Sequence, residues 1–248
     1  MLQLLKPYDI KQEKVRLGPK TPGRDNHGDG GYIAPVNILE KSVALFTYGV
    51  AHDIRYESEY ATKYKKPAYL FDHTVDHPVN PEPNLTFKKE GLGFSLNCND
   101  FLVHYAQTKI SGDVLLKVDV EGAEYDYFNA VNMKELAHIT TGVILEIHDL
   151  NNPTIREKFI SMMNKFKPYF VVNHVHGNNW GGKFDYIEKV HESKFSGYVV
   201  PNVIEITFVN KRYVDVMVPD NSKFPVPGLD LPNNANTDEL NLDFLNDF

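Results

Sequence analysis

Lys117, Asp119 and Glu121 fall at every second position of KVDVEGAE, and Glu146 and His148 repeat the spacing in LEIHD. Period-two spacing in an extended chain turns such side chains to one side. Charges are costly to bury unpaired, so these groups either pair with one another or face a cleft. Lys117 reads as the partner that neutralises its acidic neighbours. Asp119 is suited to a ligand's amino group, a metal or a substrate hydroxyl. Carboxylates with an imidazole, here Asp119, Glu146 and His148, suit a divalent metal such as Mg²⁺, Mn²⁺ or Fe²⁺. The same three suit removal of a proton from an alcohol, with His148 as the base. His174 and His176, again two apart, lead into Asn178 and Asn179. This third polar group is assigned to orienting a substrate.

Seven short runs are expected to be the strands that carry these groups: 43–48, 68–71, 85–88, 114–118, 141–147, 169–176 and 203–209. Helical patterns fall between them at 53–64, 100–107, 122–131 and 153–166, the last with Pro153 in its first turn. Alternating strands and helices predict an α/β fold, with a seven-stranded, mostly parallel sheet and helices on both faces. In such a sheet ligands bind beyond the carboxyl ends of the strands. After strand one this rule selects Tyr48, Gly49 and Asp53, where a small residue admits a ligand to the backbone. After strand two it selects Asp72, an acid able to accept both ribose hydroxyls of an adenosine, and His73. After strand three it selects Gly91 and Leu92, a place for an adenine ring. His73, Asp76 and His77 have a metal-like composition, but Pro78 marks a solvated turn.

At 248 residues one large domain is expected, with residues 1–42 an N-terminal extension packing on the core, 43–218 the catalytic domain and 219–248 a tail. Residues 243–248 are expected to fray. A net charge of -7 argues against a nucleic-acid polymer as partner. Cys98 is the only cysteine, which excludes an intramolecular disulfide and fits a reducing cytoplasm. No signal peptide or membrane-spanning apolar run is evident. The run Asp25-Asn26-His27-Gly28-Asp29-Gly30 imitates a calcium loop but has His at its third position and Val36 at its twelfth. No G-x-G-x-x-G follows strand one, which disfavours a nicotinamide oxidoreductase.

KVDVEGAE resembles the central signature of FkbM-like methyltransferases. The Tyr48-Gly49-Val50 loop with Asp53, the Phe71-Asp72-His73-Thr74 run and Gly28-Asp29-Gly30-Gly31-Tyr32 are similar to other elements of that family, as are Leu145–His148, His176–Asn179, Glu205–Thr207 and Leu229–Asn233. The resemblance implies a class I methyltransferase, Rossmann-like fold whose final strand is antiparallel. It also implies O-methyl transfer from S-adenosylmethionine, often to sugars of capsules or other surface glycans. It puts Gly49, Asp72, Gly91 and Asp119 near the cofactor, within the wider set Tyr48, Asp53, His73 and Leu92, and it assigns Asp29 and Tyr32 to the substrate side. The expected acceptor is a sugar or nucleotide-activated sugar. The chain departs from the usual Gly-x-Gly loop, having Gly49-Val50-Ala51. A non-catalytic nucleotide- or glycan-binding module on the same fold is the competing class.

Overall fold

The computed structural model describes residues 1–19, 29–76, 83–191 and 194–248. All seven expected strands are present: β1 (Leu45–Tyr48), β2 (Ala68–Phe71), β3 (Leu85–Lys88), β4 (Val114–Val118), β5 (Thr140–Ile147), β6 (Phe170–His191) and β7 (Lys194–Asn210). They form one sheet in the order β3-β2-β1-β4-β5-β7-β6. β1 to β5 run parallel, and β7 inserts antiparallel between β5 and β6. The central strands β1, β4 and β5 are buried along their whole lengths. This explains why they read as apolar runs rather than alternating ones.

Among the described residues six α-helices cover the two faces: α1 (Val36–Lys41), α2 (Arg55–Tyr64), α3 (Phe101–Thr108), α4 (Glu124–Ala130), α5 (Met133–His138) and α6 (Pro153–Phe166). Ile38 and Leu39 of α1 and Tyr56 and Tyr60 of α2 pack with Leu45, Leu115 and Ile144 on one face. Phe101, Phe128, Leu136 and Phe159 from α3 to α6 pack with Phe46, Leu116 and Leu145 on the other. Alternate residues of one strand thus serve opposite cores. Asp100 caps α3 by accepting from the Leu102 amide, and Asn152 caps α6 by accepting from Thr154, each worth about 1 kcal/mol. α2 stops where Lys65 takes left-handed backbone geometry, two residues before Pro67.

Two expectations are corrected. β6 and β7 run well past 176 and begin well before 203, and they pair with each other as an arm beyond the sheet. The arm does carry a strand signal, Phe184 and Tyr186 alternating with Lys183 and Asp185, but Gly181-Gly182 separates it from the apolar run that marks β6. One side still packs: Phe184, Tyr186 and Tyr198 lie on the larger core cluster. Residues 243–248 do not fray. Asp243–Asp247 form a 3₁₀ turn with Phe244 and Leu245 buried, and Lys6 Nζ donates to the Leu245 carbonyl at 2.9 Å. Among the described residues no helix is long and apolar enough to cross a membrane.

Candidate active site

The register of the sheet brings the polar groups together. Val118 lies beside Leu145 across β4 and β5, so Asp119 and Glu146 are neighbours one step further along. Glu146 is paired directly with Glu205 on β7, and Glu205 with His176 on β6. Asp119, Glu146, Glu205 and His176 therefore form one row across four strands. Two residues back, Thr47, Lys117, Ile144, Thr207 and His174 form a parallel row on the same face. Each row is the alternation of its strands, aligned by backbone pairing.

Lys117 is paired, but with Glu57 rather than with the acidic neighbours expected, Asp119 and Glu121. It is buried, 3.5 Å from the buried Glu57 of α2, and lies over the Tyr32 ring at 4.8 Å. Glu57 also accepts from the Thr47 hydroxyl at 2.9 Å. Burial disfavours the Lys117 ammonium, but Glu57, Asp119 and Glu146 outweigh it and hold its pKa above the usual value.

Beyond β1, β2 and β4 lies a cleft of about 480 Å³ lined by Gly49, Ala51, Asp72, His73, Gly91, Leu92, Asp119 and Glu121, among others. Gly49 has φ +75°, and any Cβ there would overlap the Asp119 carbonyl oxygen. No other residue fits, so β1 and β4 can approach closely. A Cβ at Gly91 would collide with His73 Nδ1 and Cys98 Sγ. Asp72 is buried and accepts from the Ala51 amide (2.9 Å), the Thr74 amide (2.8 Å) and the Thr74 hydroxyl (2.6 Å). Burial alone would raise its pKa, but the Thr74 and Ala51 hydrogen bonds outweigh it and hold the carboxyl below the usual range. Asp72 is thus a fixed anion in the cleft wall.

At the β4–β5 side of the cleft stands His148. Its Nδ1 is 3.3 Å from Glu124 Oε1, and that oxygen also accepts the His148 amide at 3.2 Å. The Tyr125 hydroxyl donates to the His148 carbonyl. A carboxylate at Nδ1 fixes the neutral tautomer with its proton there and leaves Nε2 as the acceptor. Nε2 faces Glu121 (3.4 Å), Asp119 (3.7 Å) and Glu146 (3.8 Å). Burial pushes His148 down, but Glu124 above all, with Glu146 and Asp119, raises it to about 9. Burial, aided by Glu121, raises Asp119 to about 6 against the opposing pull of Lys117 and His148. Burial and the charges of Asp119, Glu205 and Asp29 push Glu146 well above the usual carboxylate range. Tyr32 bridges the two acids, donating to Glu146 at 2.7 Å and reaching Asp119 at 3.1 Å. Ala51, Glu121 and Asp149, at the ends of β1, β4 and β5, all have positive φ. That backbone is strained for non-glycine residues, and Ala51 and Glu121 line the cleft.

Other predicted residues sit elsewhere. The Tyr48 hydroxyl turns away to His104 Nδ1 at 2.8 Å, and Asp53 pairs with Arg55; neither is among the cleft-lining residues. His174 is bonded to Asp230 (2.9 Å), and His176 lies between Glu205 (3.1 Å) and Glu239 (3.2 Å). Asn179 donates to the carbonyls of Asn234 and Thr237. These three hold the C-terminal segment. Asn178 does reach the acid row, donating to Glu146 at 2.8 Å and to Asp29 at 3.3 Å. Gly28 and His77 lie outside the described residues. Glu124 and Glu205 were not singled out by their chemistry, although Glu124 closes KVDVEGAE and Glu205 is a lone charge in an apolar strand.

The methyltransferase FkbM domain matches residues 35–177, more than half of the chain. No curated protein matches the chain. Among solved structures, a fibrillarin pre-rRNA processing protein of Methanococcus jannaschii aligns over 82% of this chain and 84% of its own, at 9% identity and TM-score 0.38. An rRNA methylase from Streptococcus thermophilus aligns over 70% and 89%, at 9% identity and TM-score 0.35.

Proposed function

Because the chain belongs to the FkbM family of S-adenosylmethionine-dependent methyltransferases and has the class I fold, we propose that it is an O-methyltransferase acting on a hydroxyl of a sugar or nucleotide-activated sugar. One observation carries this reading: Asp119 belongs both to the cleft and to the carboxylate–histidine cluster, so a cofactor site and a proton-accepting site share a wall. The cleft's residues fit the cofactor. Asp72 presents a fixed anion to the ribose, the Gly49 turn leaves backbone open to the ligand, and Leu92 with Gly91 offers an apolar wall to the adenine. S-adenosylmethionine, when bound, supplies an electrophilic methyl group on a positively charged sulfur.

The chain's own work is then to align the acceptor oxygen and to take its proton. A sugar hydroxyl does not ionise by itself near neutral pH. His148 Nε2 accepts that proton, while Glu124 holds the ring from Nδ1 and stabilises the imidazolium that forms. Asp119 and Glu121 flank the proton's path and favour positive charge beside the cleft. Asp29, Tyr32 and Asn178 wall the acceptor side.

A divalent metal held by Asp119, Glu146 and His148 is a second form of the same reading, since their ligand atoms lie within 4.8 Å of one another. A role in capsule or surface-glycan synthesis, in the cytoplasm, accords with the proposed acceptor. The test is incubation with labelled S-adenosylmethionine and a panel of nucleotide-activated sugars. Label should appear in a sugar, and it should survive exhaustive chelation if His148 works alone. Label in none of the panel would reject the acceptor class.

A further inference from the structure

Glu146 and Glu205 face each other directly across β5 and β7, and both are buried. Like charges in that position oppose pairing. Asp29 adds a third carboxylate, and single oxygens of the three lie within 4.8 Å of one another. Of the donors around them His176 is the cation: burial lowers its pKa, but Glu205 and Glu239 outweigh burial and raise it to about 10, so its one charge is shared with Glu239. Glu146 receives Tyr32 and Asn178, Asp29 receives Asn178 (3.3 Å) and Asn233 (2.9 Å), and Glu205 receives Asn233 (2.6 Å) and His176 (3.1 Å). Lys117 is spent on Glu57. A separate observation points to a missing ligand. Asn233 is fully buried with its amide set on two of these carboxylates, yet its Oδ1 has no hydrogen-bond partner among the described residues. Buried polar atoms without partners are rare in native proteins and call for an explanation such as an ion.

We infer that a hard divalent cation, of the Mg²⁺, Ca²⁺ or Mn²⁺ class, binds between Asp29, Glu146 and Glu205. An all-oxygen set of carboxylates is what such ions select. A half-turn of the Asn233 amide puts its oxygen in place of Nδ2 beside Asp29 and Glu205, an arrangement that bare carboxylates oppose and a cation between them favours. The ion ties the segment around Asp29 and Tyr32 to β5 and β7, and so seats Tyr32 against Asp119 and Glu146. This site does not depend on the methyl-transfer reading. It is also distinct from the histidine-containing set, with which it shares only Glu146.

The test is titration of the full, chelator-stripped chain with Mn²⁺, followed by electron paramagnetic resonance without cofactor or acceptor. One Mn²⁺ per chain is expected, displaced by Mg²⁺ or Ca²⁺, with a Tm that rises with either ion. Glu205→Gln should abolish uptake, Asp29→Asn should weaken it about tenfold or more, and His148→Gln should leave it in place. Absence of uptake by the unaltered chain overturns the inference. So does uptake that survives Glu205→Gln and disappears in His148→Gln. Should Glu205→Gln not fold, Asp29→Asn against His148→Gln makes the same comparison. S-adenosylhomocysteine binding by the stripped chain, measured separately, keeps failure of this site distinct from failure of the methyltransferase reading.

Discussion

A base held at a pKa of about 9 leaves a signature in the pH dependence of turnover. At pH 7 only about 1% of His148 is neutral, and each further unit raises that fraction about tenfold until the pKa is reached. The rate at saturating cofactor and acceptor should therefore climb about 50-fold from pH 7 to pH 9 and about another twofold before it levels above about pH 10. The perturbation is His148→Gln, which keeps a polar side chain but cannot take the proton. It should flatten the rise and cost about 10²-fold at pH 9. The same shift has a consequence for stability. His148 binds its proton more tightly folded than unfolded, so its contribution is fully present below about pH 6.5 and is lost as pH rises through about 9. The Tm of the unaltered chain should fall over that window, and that of His148→Gln should fall less. Initial rates of label transfer across pH 6.5–9.5, for both proteins, make the measurement. A level profile between pH 7 and 9, or turnover by His148→Gln within threefold of the original at pH 9, would refute His148 as the base.

Gly49→Ala should be severely destabilising, because its Cβ would overlap the Asp119 carbonyl and its φ of +75° disfavours a side chain; a Tm within a few degrees of the original would contradict the close approach of β1 and β4. Asp72→Asn should weaken S-adenosylhomocysteine binding by about 1.5–3 kcal/mol, the worth of a hydrogen bond to a charged group, while leaving the rate at saturating cofactor nearly unchanged. Calorimetry with steady-state rates would check it, and unchanged affinity would remove Asp72 from the ribose. Lys117→Met strands the buried Glu57 and should cost about 3–5 kcal/mol, whereas pairing it with Glu57→Gln should recover much of that loss. Urea denaturation of both variants decides, and a double variant no more stable than Lys117→Met would count against the buried pair.

The sequence carried the sheet well because its signals are local. Apolar runs such as Val114–Val118 stop at polar residues, and alternation placed Lys117 with Asp119, and His174 with His176, on common sides. What alternation does not carry is the identity of the neighbour. Tyr32 reaches Glu146 across 114 residues, and Glu205 meets Glu146 only because β7 inserts between β5 and β6. The spacing of His174 and His176 suggests a substrate contact because nothing local reveals Asp230 and Glu239, which come from the tail to meet them. Glu124 was legible as part of KVDVEGAE, but its grip on His148 depends on how α4 packs beside the end of β5. The arm of β6 and β7 is harder to read because Gly181-Gly182 and Gly197 interrupt its apolar alternation, although Phe184, Tyr186 and Tyr198 pack on the core.

The central claim is that the cleft beside Asp119 binds S-adenosylmethionine, and a single calorimetric titration tests it. The purified chain, titrated in turn with S-adenosylhomocysteine and with NAD, should bind the first at one site per chain and show no heat with the second. The Asp72→Asn variant should reduce the first signal. Binding of NAD alone, or of neither ligand, would contradict the account.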